Sequence, residues 1–179
     1  VALVVIVVVV LFVFNIIGGG NQNRELEKSI AVLPFIDDSP EKNTETTSFA
    51  NGLMEELLIN LQTIKEFRVP GRTSVEQYRN TTKSLPEIAK ELGVNYIVDG
   101  SGQKYGNTIS LKVQLIRATK ESHLWAETYE KEIKEVNDIL SIQGQIAQAI
   151  ATELKAIITP EEKQIIEKTP TTSLTAYDF

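Results

Sequence analysis

The chain begins with an apolar run that differs from everything after it. Residues 1–17 carry no charge and a single polar side chain, Asn15. A helix needs about 17–25 apolar residues to cross a hydrocarbon core of about 30 Å. A buried parallel strand has a similar composition, but it runs for only about 4–8 residues. The run therefore predicts one transmembrane helix over residues 1–17, with a signal peptide or a buried strand as the alternatives.

The rest of the chain has the length of a single folded domain. Three glycines followed by polar residues are typical of a flexible linker, which we place over residues 18–28. An α/β domain is predicted over residues 29–158. The chain becomes polar again near Pro160, and residues 159–179 are therefore predicted to be a second linker.

Composition excludes several classes of function. The 24 acidic residues outnumber the 18 basic ones, and the net charge of -6 disfavours binding to nucleic acid, which needs a basic face. The absence of cysteine removes thiol catalysis, disulfides and thiolate metal sites. His123 is the only histidine, so a His/Cys metal site cannot form. We expect no metal, no cofactor and no bound nucleic acid.

Periodicity predicts the folded elements. Apolar residues spaced by four from Phe49 to Leu61 predict a helix, and another helix is predicted from Asp138 onward. Ser84 and Glu87 match a capping box, and Gly93 suits the end of that short helix. The predicted strands cover residues 29–36, 67–70, 94–104, 107–117 and 123–133. This order predicts a five-stranded mixed sheet with helices on both faces, a three-layer α/β/α fold.

Few residues are candidates for chemistry. Asp37, Asp38 and Glu41 lack the spacing of a calcium loop, so a solvated loop is the better interpretation. The segment 72–74 after a predicted strand fits an anion site or, more simply, a helix cap. The segment 100–102 indicates a bulge or a close backbone approach. No nucleophile is paired with a base, and we predict that the chain has no catalytic residues and is not an enzyme.

The best candidate for binding a partner is the only tryptophan, Trp125. In a regular strand, His123, Glu127 and Tyr129 lie on the same face as Trp125. Aromatic side chains are enriched at interface hot spots, so these four residues form a candidate site for a protein partner. The simpler alternative is that Trp125 packs under the final helix as part of the core.

Several segments, in one order, resemble the amino-terminal domain of the TolB-like family. The resemblance spans about residues 29–155. The matching segments are residues 29–35 (SIAVLPF), 49–53 (FANGL), 72–74 (RTS), 88–94 (IAKELGV), 113–116 (VQLI) and 123–127 (HLWAE). Residues 174–178 (LTAYD) resemble the start of the tetratricopeptide repeats that often follow this domain.

The resemblance implies a binding module with an α/β/α sandwich and without established catalytic residues. It implies a bacterial inner-membrane protein with a single span and a periplasmic domain that senses or binds another protein. As alternatives, the chain is the regulatory part of a membrane nucleotide cyclase or transcriptional regulator whose output domain lies upstream, or an outer-membrane or secretion assembly factor.

Overall fold

The structure is a computed structural model that describes residues 26–41, 44–134 and 136–167. The strands are β1 (Ile30–Val32), β2 (Ile36–Asp37), β3 (Tyr96–Tyr105), β4 (Thr108–Arg117) and β5 (Ser122–Glu132). The helices are α1 (Thr44–Thr63), α2 (Arg72–Glu76), α3 (Leu85–Leu92), α4 (Val136–Glu153) and α5 (Pro160–Ile166). The predicted transmembrane helix over residues 1–17 lies outside the described residues. Within them, no helix is both long and apolar enough to cross a membrane.

All five strands form one mixed sheet, as the sequence predicts. The strand order is β1-β3-β4-β5, and β2 also pairs with β3. β1 and β2 run parallel to β3, whereas β3, β4 and β5 form an antiparallel meander. Gly106 has a φ of 58° in the turn between β3 and β4, where glycine adopts the left-handed conformation without strain. The α/β class and the mixed sheet are confirmed.

One predicted strand is wrong. Residues 67–70 contain only an isolated bridge from Arg68 to Ser29. The fifth strand is instead β2, which follows Pro34 and extends the pairing along β3. Proline has no amide hydrogen to donate to the ladder, so the strand predicted over residues 29–36 is divided into β1 and β2.

Helices cover one face of the sheet, which we call the helical face. Directly opposite residues in neighbouring strands share a face, and the buried Leu111, Val113 and Leu115 define this one. α1 packs here closely, because a Cβ on Gly102 would lie 3.8 Å from the side chain of Ala50. α4 contacts the same sheet at β5.

Within the described residues, helices cover the second face only at one end. There, Ile97 and Ile116 are paired and buried, and α3 contacts both β3 and the 3-10 turn after β4. The predicted capping box holds α3 in place: the Glu87 carboxylate accepts a hydrogen bond of 2.8 Å from the Ser84 amide, and Gly93 ends the helix at a φ of 64°. Toward the middle of β3 and β4 this face becomes polar, so the predicted third layer is present in part.

α5 lies in the segment that the sequence assigns to a linker. The Glu162 carboxylate accepts hydrogen bonds from the amides of Thr159 at 2.9 Å and of Lys65 at 3.1 Å. These two bonds lower the pKa of Glu162, and they join the start of α5 to the end of α1. Ile166 is buried against the core. The folded unit therefore extends at least to Ile166.

Candidate functional site

The four predicted partner-binding residues lie on β5, but a β-bulge separates them. Trp125 is opposite Leu115, whereas His123 is opposite Ile116, so Leu124 is an extra residue in β5. The extra residue reverses the alternation of side chains. Trp125, Glu127 and Tyr129 share the helical face, and His123 lies on the other face. The structure thus brings three of the four residues together and places His123 apart from them.

Trp125 and Tyr129 are half-buried and pack against the core. The Tyr129 hydroxyl donates a hydrogen bond of 3.0 Å to the Glu127 carboxylate. Burial, followed by this hydrogen bond, raises the pKa of Tyr129, so its hydroxyl remains a donor throughout the physiological range. The packing role of Trp125 is supported, and part of the indole stays accessible at the edge of the sheet.

A larger surface, which the sequence analysis did not identify, lies on the other side of the sheet. We call it the open face. It consists of mostly polar side chains from three neighbouring strands, arranged in two cross-strand rows: Asp99, Gln114 and Ala126, then Ser101, Lys112 and Thr128. A cavity of about 490 Å³ opens over these rows, and Ile36, which is paired with Ser101, and Asp38 also line it.

The open face combines polar groups held by hydrogen bonds, an exposed charged group and an apolar residue. Asp99 accepts a hydrogen bond of 3.1 Å from the Gln114 side chain and one of 2.9 Å from the Gly100 amide. These bonds hold the carboxylate in one orientation. Lys112 is exposed at the centre, and Ile36 is 58% exposed at the rim. Such a mixture of charged, amide, hydroxyl and apolar groups is typical of a protein-binding surface.

The alternation of residues 107–117 contains the signal for a third of this surface. Lys112 and Gln114 are polar positions of that pattern, and they lie side by side in the two rows. The remaining residues come from β3 and β5, whose register depends on contacts distant in sequence.

Other candidate sites serve the structure of the fold. Arg72 forms an ion pair with Glu55 on α1, which leaves the predicted anion site without a free guanidinium. In the described chain the register between β3 and β4 is continuous, so residues 100–102 form no bulge between these strands. The predicted close backbone approach is confirmed at Gly100, where a Cβ would lie 2.6 Å from the carbonyl oxygen of Lys112. Among the described residues, no group of three or more His, Cys, Asp or Glu side chains could hold a metal ion.

Asp37 organises the loop before α1. Its carboxylate accepts hydrogen bonds from the Ser39 amide at 3.0 Å, the Thr46 hydroxyl at 2.7 Å and the Thr47 hydroxyl at 3.0 Å. Burial acts to raise the pKa of Asp37, but these hydrogen bonds outweigh it and lower the pKa to about 2. Asp37 therefore connects the acidic loop to side chains in the first turn of α1, whereas the sequence predicts a solvated loop.

We expect Asp37→Ala to lower the free energy of unfolding by about 2 kcal/mol at neutral pH, because three hydrogen bonds to a charged group are lost. The pKa is lower in the folded state, so this contribution is complete above about pH 4 and disappears as the pH falls through about 2. Urea unfolding at several pH values measures it. Asp38→Ala removes the same charge from an exposed neighbour and should cost far less. Equal losses for the two variants would contradict this stabilising role of the Asp37 hydrogen bonds.

Sequence and structure comparisons agree with an accessory α/β domain. Residues 26–149 match the family described as HilA/YgeH-like transcriptional regulator, second domain. The chain is 32% identical over 151 residues to the protein named "Putative adenylate cyclase 3" of Rhizobium meliloti (strain 1021), and this covers 84% of the chain. The match spans only 25% of that relative's length.

Two solved structures share the fold. The TolB structure from Acinetobacter baumannii matches with a TM-score of 0.51 and 18% identity, over 70% of this chain and 28% of that one. The lipoprotein GNA1162 from Neisseria meningitidis matches with the same score and identity, over 74% of this chain and 99% of that one. At this identity the likeness concerns the fold, and it supports the TolB-like architecture expected from the sequence.

Proposed function

Because the chain belongs to the family of the second domain of HilA/YgeH-like transcriptional regulators, we propose that it is a non-catalytic accessory domain that acts by binding another protein. The family description places such a domain beside another one in a regulator. The Rhizobium relative, four times as long as the matched region, fits the same arrangement. In this proposal the parent protein's output resides elsewhere, and this domain controls it by contact.

The open face is the observation that carries the proposal. Its two rows of side chains are partly or fully exposed where helices of the described chain leave the sheet uncovered, and Asp99 is already held in place by Gln114. A surface whose polar groups are fixed in advance loses little conformational entropy on binding. The cavity above it is shallow and open rather than enclosed, which suits the side chains of a protein better than a small substrate.

Two classes of parent protein fit this proposal. A transcriptional regulator is favoured by the family match, and a nucleotide cyclase is favoured by the Rhizobium relative. A sensing role in the periplasm rests on the apolar run at residues 1–17, which we propose as the membrane anchor. Carbonate extraction of bacterial membranes tests that anchor: the full chain should remain in the pellet, whereas a chain beginning at Glu25 should be released.

We expect the purified chain to show no turnover of nucleoside triphosphates. Catalysis needs a nucleophile or a metal with a positioned base, and the described residues offer neither a metal cluster nor such a pair at the open face. Cyclic nucleotide and phosphate release are measured with ATP and GTP in the presence of Mg²⁺ or Mn²⁺. Turnover that Lys112→Ala or Asp99→Asn abolishes would assign catalysis to the open face and overturn the proposal. Binding of protein is tested separately, by crosslinking from the open face.

A further inference from the structure

β5 forms an edge of the sheet, and half of its backbone groups point away from the domain. Within the described residues it pairs with β4 alone. The Ile133 amide donates a hydrogen bond of 2.7 Å to the carbonyl of Asn107. In an antiparallel pair every second residue bonds to the same neighbouring strand, so this bond shows which residues of β5 face β4. Trp125, Glu127, Tyr129 and Lys131 therefore direct their amides and carbonyls toward β4. The same groups of Ala126, Thr128, Glu130 and Glu132 point outward.

The side chains of β5 in one copy of the chain are complementary to those of β5 in a second, antiparallel copy. On the helical face the order along the chain is Trp125, Glu127, Tyr129, Lys131 and Ile133. When a second copy runs antiparallel with Tyr129 opposite Tyr129, each Glu127 lies opposite a Lys131 and each Trp125 lies opposite an Ile133. Opposite charges in directly facing positions stabilise a sheet, and like charges destabilise it.

The other face of the edge is compatible with the same register. Thr128 lies opposite Glu130, and Ala126 lies opposite Glu132, so carboxylates never face each other directly. In this register Thr128 and Glu130 of the two copies form a hydrogen-bonded pair, which uses the outward amides and carbonyls. Edge strands usually avoid such pairing with bulges and mismatched charges. Here the bulge at Leu124 lies outside the paired segment.

We propose that two copies of this chain associate through β5, antiparallel and with Tyr129 on the twofold axis, to form one continuous sheet. The Lys131 ammonium lies 2.7 Å from the Asp138 carboxylate within the chain, and its three N–H groups allow it to reach Glu127 of the second copy as well. The pairing goes beyond the proposed function, because it leaves the rows of the open face accessible at their centre.

Single cysteines test the pairing sharply, because the natural chain contains no cysteine. At the twofold axis Tyr129 forms a non-hydrogen-bonded pair, with Cα atoms about 4.5 Å apart, which a disulfide can bridge. In Glu127→Cys the two introduced residues lie four positions apart along the strands, about 13 Å. Under mild oxidation, the full chain carrying Tyr129→Cys should form a covalent dimer at least about tenfold faster than Glu127→Cys. Equal rates, or no dimer with either variant, would overturn the proposal.

A charge exchange gives an independent result even if Tyr129→Cys folds poorly. Lys131→Glu should weaken self-association of the full chain in sedimentation by about tenfold, because two attractive pairs become repulsive. Adding Glu127→Lys to the same chain restores both pairs and should recover the association, although the contact with Asp138 remains lost. Absence of self-association in the unchanged protein, or no recovery in the double variant, would contradict the pairing. Both experiments test pairing through β5, so their failure would leave the crosslinking test of the open face unaffected.

Discussion

Gly100→Ala is expected to lower the free energy of unfolding by about 3 kcal/mol, the upper part of the range for an overfilled core. A Cβ at this position would lie 2.6 Å from the carbonyl oxygen of Lys112 on β4 and 3.2 Å from two ring carbons of Phe35. The ring of Phe35 is itself buried. Because the nearer atom belongs to the backbone of a central strand, it cannot move without breaking the ladder between β3 and β4.

Gly52→Ala is the matched control. Gly52 lies within α1, and a Cβ there would meet no atom within 4 Å. Alanine is favoured over glycine inside a helix by about 1 kcal/mol, so this variant should be more stable than the natural protein. Thermal and urea unfolding followed by circular dichroism compare the two. A loss below about 1 kcal/mol for Gly100→Ala would show that β4 yields easily and that the packing of Phe35 is less tight than described.

Trp125→Ala is expected to cost about 2–3 kcal/mol, somewhat less than the about 3–5 kcal/mol of a fully buried aromatic residue. The indole packs against the core from the edge strand, but it is only half-buried. Leu115→Ala, at the fully buried position directly opposite, provides the comparison and should cost at least as much. Circular dichroism is the appropriate signal, since the variant lacks the only tryptophan.

A Trp125→Ala variant as stable as the natural protein would contradict the packing described here. It would favour the alternative that Trp125 serves only to bind a protein partner. Emission of the natural protein provides a second check: a half-buried indole should be partly, but not completely, protected from an added quencher. Complete protection would place Trp125 in the core.

Local patterns predicted the longer elements well. Apolar spacing from Phe49 to Leu61 predicted α1, and alternation from Ile109 to Leu115 predicted β4, because each pattern is produced by one element packing on one core. The capping box at Ser84 and Glu87 was equally local. A two-residue strand such as β2 is too short to show a period of its own, so the sequence does not separate it from β1.

The composition of the candidate site depended on long-range register. The bulge at Leu124 removes His123 from the group formed by Trp125, Glu127 and Tyr129, and nothing in the local sequence marks it. The open face likewise joins Asp99 to Gln114 across two strands. α5, in contrast, could have been predicted from local sequence, because Thr159 and Glu162 form a capping box.

Photocrosslinking in the host tests directly whether this domain acts by protein contact at the open face. A benzophenone amino acid is placed at Lys112, at the centre of the open face, and in a second chain at Lys90, which is also exposed and lies on α3. Both chains should melt like the natural protein. The proposal predicts a discrete adduct with a second protein from position 112 and none from position 90. No adduct from position 112, or the same adducts from both positions, would contradict it.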